Sequence, residues 1–227
     1  MGSAIAEVAP TAIGMALINP LPIMAVILML LSPRGKSTAP AFLAGWVLGM
    51  LVVFLLLLFV VSPENIVGDD SDPSTLSSIV RLLLGVALLF LAFRKWRTRP
   101  QDDEEIALPS WMGALDRASP AAALGFGAFF SGLNPKNLPF TIAAVIAIAQ
   151  GELAAGQKLI PIAIYVLLAS VGVAAPVVWY FVAQRSATAR LAEWRDWLVA
   201  NYALLMTIVL LLFGVTLFTK GIGGLIG

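Results

Sequence analysis

The chain contains no cysteine and no histidine. The first absence excludes disulfides and thiol redox chemistry. Together they exclude haem ligation by histidine and nearly every zinc or copper site, which require thiolate or imidazole ligands. Charge is scarce as well: 12% of the 227 residues are Asp, Glu, Lys or Arg, against 60% hydrophobic. With a mean hydropathy of +0.95, the chain falls among integral membrane proteins rather than soluble domains. No Asp or Glu lies deep in an apolar stretch. That argues against divalent-cation transport, whose ligands would be carboxylates. With cysteine and histidine also absent, no imidazole, thiol or deep carboxylate is available as acid, base or nucleophile for an intramembrane enzyme, so no catalytic residue, metal or cofactor is expected. The segment from Met1 to Pro10 lacks a basic stretch, so no cleavable signal is expected.

What the sequence does hold is six long apolar stretches, at residues 5–31, 39–61, 76–93, 121–149, 159–183 and 198–220. Most reach the ~20 residues that a membrane-crossing helix needs. The first and fourth run well past that length, to about 40 Å as straight helices, so kinking or unwinding is expected in both. The fold class predicted is therefore an all-α integral membrane protein of six transmembrane helices.

Orientation follows from the basic residues between the spans. Arg34, Lys36, Arg94, Lys95, Arg97, Arg99, Arg117, Arg185, Arg190 and Arg195 fall on one side, and only Lys158 and Lys220 on the other, with Arg81 just inside the third span. The first side is expected to be cytoplasmic, which puts both termini outside. Trp96, Trp111, Trp179, Trp194 and Trp197 gather near the same ends of the spans, where indoles favour the membrane–water interface.

Two Asn-Pro motifs interrupt the longest stretches. Asn19-Pro20-Leu21-Pro22 lies within the first, and Asn134-Pro135-Lys136-Asn137-Leu138-Pro139 within the fourth. A break at that depth exposes backbone groups that lipid cannot satisfy, so it persists only inside protein or beside a polar cavity. Paired broken helices in two halves of a membrane protein point to a transport site.

The halves also match elsewhere. Gly35 and Pro40 correspond to Gly156 and Pro161, and residues 82–89 correspond to 211–218. The organisation expected is a first three-helix repeat over 1–97, a cytoplasmic loop over 98–118 and a second repeat over 119–227. Three spans is an odd number, so the second repeat enters the membrane inverted relative to the first. Gly45 and Gly49 in the second span, with Ala169 and Ser170 in the fifth, suit close helix packing or a dimer face.

Asparagine is a strong helix N-cap and proline suits the first helical position. Both Asn-Pro pairs therefore read as starts of half-helices, each presenting N–H groups and a partial positive charge. Lys136 is the only charged residue deep in a span. Asn19, Pro20, Pro22, Asn134, Pro135, Lys136, Asn137 and Pro139 are the candidate substrate-binding residues, and their chemistry suits an anionic headgroup. Ser131 and Thr141 are expected to satisfy local backbone. The competing reading is structural: prolines kink membrane helices routinely, and a lysine can snorkel.

These features resemble the lysine-exporter (LysE) superfamily, whose members carry inverted three-span repeats with proline-broken first and fourth helices. Within it the run from Trp111 to Gln150 is similar to the GAP family, the glycolipid- or peptidoglycolipid-addressing proteins. The carrying residues are Trp111, Leu115-Asp116, Ala123-Leu124-Gly125 and Asn134-Pro135-Lys136-Asn137-Leu138. The resemblance implies a bacterial inner-membrane protein that moves an envelope lipid or lipid-linked glycan outward. The expected partner is that lipid, with a homodimer or envelope-export machinery as further partners and no nucleic acid. Two alternatives stand beside lipid export: an exporter of a small soluble anion or amino acid, and a non-transporting scaffold for envelope-lipid export.

Overall fold

A computed structural model describes residues 2–17, 19–60, 75–97, 113–115, 117–134, 137–151 and 153–226. Among these the regular structure is helical, with no strand. In chain order the helices are α1 (Gly2–Leu17), α2 (Pro20–Leu31), α3 (Gly35–Val60), α4 (Thr75–Arg97), α5 (Pro120–Gly132), α6 (Leu138–Gln150), a 3₁₀ turn (Ala155–Lys158), α7 (Leu159–Ala200) and α8 (Tyr202–Ile226).

By length and composition, three stretches can cross a membrane: Gly35–Phe59, Gly156–Ala183 and Tyr202–Ile226. A fourth is the pair Gly2–Ala16 and Pro20–Leu31, taken as one span bent by 59°. The chain is thus a multi-pass helical membrane protein. Both long stretches expected to kink are broken. The first becomes α1 and α2, and residues 121–149 become α5 and α6, of 13 residues each. At ~1.5 Å per residue each is about 20 Å long, short of the ~30 Å hydrocarbon core.

The chain divides into two compact units, each drawing on both halves of the sequence. One comprises Met1–Ile66 with Pro109–Arg195, and the other Val67–Leu108 with Asp196–Gly227.

In the first unit, α2 turns into α3 through a tight corner. The Ser32 backbone N–H and hydroxyl both donate to the Met29 carbonyl, at 3.1 and 2.8 Å, and the Gly35 N–H donates to the Ser32 carbonyl at 3.0 Å. A side chain at position 35 would collide with the Leu30 carbonyl oxygen, so the corner requires glycine. Next, α3 packs along α5 on small residues. A methyl group at Gly45 would strike the Leu124 carbonyl, and one at Gly127 the Phe42 carbonyl. Gly49 faces Ala128 and Ser131, and Gly132 faces Gly49 and Val53. Contact positions rise together along both helices, so α3 and α5 run parallel. Gly45 and Gly49 therefore pack within the chain, and the close backbone approach they permit is that of membrane helices joined on small residues. Ser119 starts α5 by accepting from the Ala122 N–H at 3.2 Å, with Pro120 at the first helical position.

Between α1 and α6 the sense is opposite. Gly14 lies against the Phe140 ring, and Gly151 against Ala4.

The second unit pairs α4 with α8. Gly85 meets Phe218 and Gly214, Gly221 meets Leu82, and Gly214 meets Leu89. As one index rises the other falls, so the helices are antiparallel. The facing segments, 82–89 and 214–221, overlap the pair 82–89 and 211–218 whose sequences match. Lys95 Nζ lies 5.7 Å from the centroid of the Tyr202 ring at one end of the pair.

Helix α7 is sharply bent. Fifteen residues of straight helix would separate Trp179 from Trp194 by about 22 Å along the axis, yet their ring centroids are 5.1 Å apart. The chain must fold back between them. Ala187 and Leu191 on the returning arm are fully buried, while Arg190 and Glu193 pair at 3.2 Å on its exposed side. The arm is amphipathic, with Trp194 and Trp197 about half exposed, the disposition of a helix lying at a membrane surface.

Candidate functional site

The two helix breaks meet. Asn19, just before α2, is 2% exposed and Asn137, just before α6, is 1% exposed. Asn19 Nδ2 donates to Asn137 Oδ1 at 2.8 Å, joining residues 118 apart in sequence. The same Nδ2 donates to the Met15 carbonyl at 2.8 Å, in the last turn of α1. Asn137 Nδ2 donates to the carbonyls of Phe130, at 2.9 Å, and Ser131, at 3.2 Å, in the last turn of α5. Carbonyls only accept, so these contacts fix which end of each amide faces which way.

Both asparagines occupy the helix-cap position, but neither side chain caps. The backbone of Asn19 is at φ −119° and ψ 64°, that of Asn137 at φ −84° and ψ −29°, and no cap hydrogen bond comes from either side chain. The second half-helix also begins at Leu138, not at Pro135 as the Asn-Pro motif suggested. The reason lies in what a broken helix exposes. The break leaves carbonyls at the end of the preceding half-helix as well as N–H groups at the start of the next. Proline has already removed donors from the starts: Pro20 and Pro22 in the first turn of α2, and Pro139 in that of α6. That reduces the donors left at the starts while every carbonyl behind still needs a partner, and the amides turn back to those carbonyls.

One polar atom at this junction has no hydrogen-bond partner among the described residues: the Asn19 Oδ1 acceptor. The junction continues into a short polar chain. Thr141 Oγ1 lies 3.2 Å from the Asn137 carbonyl and 3.0 Å from the Tyr165 hydroxyl on α7, which lies 3.2 Å from Met15 Sδ. Two hydroxyl protons thus serve three contacts. The Tyr165 ring is buried and tilted against Phe54, with centroids 5.2 Å apart. Gly172, further along α7, admits the Ala16 carbonyl and the Ile23 side chain, bringing α7 against both sides of the first break.

Of the residues singled out from sequence, Asn19, Pro20, Pro22 and Asn137 are buried at or beside the junction. Asn134 is half-buried and its carbonyl accepts from the Asn137 N–H at 2.9 Å. Pro139 is exposed. Pro135 and Lys136 lie outside the described residues, as does most of the 98–118 loop. Ser131 and Thr141 do bond local backbone, Ser131 to the Ala128 carbonyl at 3.2 Å, but Thr141 also reaches across to α7. Met15 and Tyr165 were not foreseen. Tyr165 carried a signal, since it is one of only three tyrosines and its hydroxyl lies within an apolar span.

The arrangement is a buried polar seam that binds two helix breaks to each other and to α7, with one acceptor oxygen left over. Such a seam can take a hydrogen-bond donor from a ligand or exchange its internal partners for a ligand's.

No curated protein and no solved structure matches this chain significantly. A family model described as "Sap, sulfolipid-1-addressing protein" matches residues 8–223, from before the first break into the last turn of α8. That match takes in nearly the whole chain, which therefore belongs to the sulfolipid-1-addressing protein family.

Proposed function

We propose that this protein exports an anionic envelope glycolipid across the bacterial inner membrane, reading the polar headgroup at the junction of the two helix breaks. The observation that carries the reading is the Asn19–Asn137 hydrogen bond with its leftover Asn19 Oδ1. A sulfolipid couples a sulfur oxyanion to a lipid body, and the family's name makes that class of cargo the natural one. A headgroup rich in hydroxyls would donate to Asn19 Oδ1, while Lys136, in the sequence between the two half-helices, would supply the cation for the oxyanion.

The protein would act as six spans in two inverted repeats, in the manner of the LysE superfamily. Two observations support this. The third and sixth stretches, α4 and α8, pack antiparallel on segments that overlap the matching ones, and the halves of the broken spans, α1 and α6, are antiparallel as well. Rocking of one repeat against the other would alternate access to the junction. The basic side would face the cytoplasm, with both termini outside.

Translocation in proteoliposomes tests the proposal, with a fluorescent sulfated glycolipid beside a zwitterionic phospholipid. Selective transport of the sulfated lipid, lost in Lys136→Ala and in folded Asn19→Ala, is the expected result. No lipid movement by folded wild-type protein would sink it and favour a soluble-anion exporter or a scaffold.

A further inference from the structure

The second compact unit carries a feature that the mid-membrane junction does not use. Phe90, Phe93, Arg94 and Arg97 line an open cleft of about 370 Å³ at the basic end of α4. Their spacing is i, i+3, i+4, i+7, so they form one continuous stripe along the helix. The stripe faces away from α8. The packing face of α4 runs through Leu82, Gly85 and Leu89, with Ala92 fully buried, whereas all four cleft residues are exposed. Lys95, on another face, sits over the Tyr202 ring.

The order along the stripe is that of an amphiphile. Two phenylalanines lie towards the middle of the apolar helix, and two arginines close its end. Arg97 is held: its guanidinium carbon lies 5.7 Å from the centroid of the Phe93 ring. A guanidinium resting on an aromatic face keeps its N–H edge available for bidentate bonds to an oxyanion, which a flexible lysine would not supply. On the six-span reading proposed above, α4 crosses the membrane, and basic residues at the end of such a helix attract anionic lipid headgroups.

We propose that this stripe is a binding site for an anionic phospholipid of the surrounding bilayer, its phosphate between Arg94 and Arg97 and its acyl chain along Phe90 and Phe93. The occupant is set by the chemistry of the cleft. A soluble anion would use the arginines and leave the phenylalanines idle, and a zwitterionic lipid would bring a choline cation against two guanidinium groups. The site is independent of the exported cargo, because it lies on residues that take no part in the Asn19–Asn137 junction.

Native mass spectrometry of the full-length protein in detergent tests the proposal, with phosphatidylglycerol and phosphatidylcholine added in turn. Phosphatidylglycerol is expected to be retained about tenfold more than phosphatidylcholine. R94Q/R97Q is expected to remove that preference, while R190Q/R195Q, which deletes basic charge from the α7 arm, keeps it. F90A/F93A is expected to weaken retention of both lipids and preserve the ratio. Melting of each variant in the same detergent checks that it is folded. Inorganic phosphate at millimolar concentration is expected not to displace the bound lipid. Equal retention of the two lipids by wild type would overturn the proposal. So would an unchanged ratio in folded R94Q/R97Q, an equal loss in R190Q/R195Q, or displacement by phosphate.

Discussion

The Asn19 and Asn137 side chains hydrogen-bond at 2.8 Å, and each also donates to the carbonyl end of the half-helix that precedes it. The pair therefore does three things at once. It satisfies carbonyls that lipid could not, it ties the first break to the second, and it leaves Asn19 Oδ1 as an acceptor. On the proposed function, cargo binding and stability would be coupled there, so variants at the junction need a folding readout beside a transport readout.

Asn137→Ala removes both donations to the α5 carbonyls and the acceptor used by Asn19. Buried carbonyls left unmet cost roughly 1–3 kcal/mol each. Asn19→Ala loses two donations but also removes an unsatisfied oxygen, so it should be the milder change. Thermal unfolding in detergent is expected to rank wild type, Asn19→Ala and Asn137→Ala in descending order of stability. The reverse order for the two variants would mean that the carbonyls find other partners.

Gly127→Ala and Gly125→Ala differ sharply although the residues are two apart on α5. The new methyl at 127 meets the Phe42 carbonyl and lies 2.7 Å from the Trp46 backbone nitrogen, whereas nothing lies within 4 Å at 125. The first forces α3 and α5 apart and is expected to cost about 1–3 kcal/mol, as overpacking does. The second gains helix propensity, up to about 1 kcal/mol. Melting temperatures moving in opposite directions are the expected outcome.

Tyr165→Phe keeps the buried ring against Phe54 and deletes the hydroxyl that touches Thr141 and Met15. Thr141 can then give its proton wholly to the Asn137 carbonyl at 3.2 Å. The expected loss is about 1 kcal/mol. In the proteoliposome assay, a fall in transport beyond the loss of folded protein would place the hydroxyl in the cargo path. Activity proportional to folded protein would make it structural.

The fold-back of α7 is open to direct measurement, because the chain has no native cysteine to interfere with labelling. Spin labels on Val178→Cys and Glu193→Cys should lie well inside the about 22 Å of a straight helix. Adding Trp194→Ala, which removes one ring of the pair, should broaden the distance distribution. A sharp peak at or beyond the straight-helix value would show that the arm does not return.

Several of these features were legible in the sequence. The membrane class, the helical fold and both broken stretches follow from local physics: apolar length sets what can lie in lipid, and proline removes the donor a helix needs. Gly45 and Gly49 also marked a close helix contact in advance, because small residues on a membrane helix have little other use. The destination of the asparagine side chains was not legible. A cap bond is decided by the next three residues, which the sequence displays, but a bond to Met15, Phe130 or a residue 118 positions away is decided by where the chain returns.

The same holds for Tyr165, whose partners come from α1 and α6, and for the bend that stacks Trp179 on Trp194. The stripe of Phe90, Phe93, Arg94 and Arg97 stands in between. Its helical spacing is in the sequence, but its exposure is known only because α8 packs on the other side of α4. By itself the sequence determined what each segment can be, since hydropathy and backbone chemistry act within a few residues. Only the tertiary structure decided which polar groups meet, because a buried amide takes whichever partner the packing brings within 3 Å.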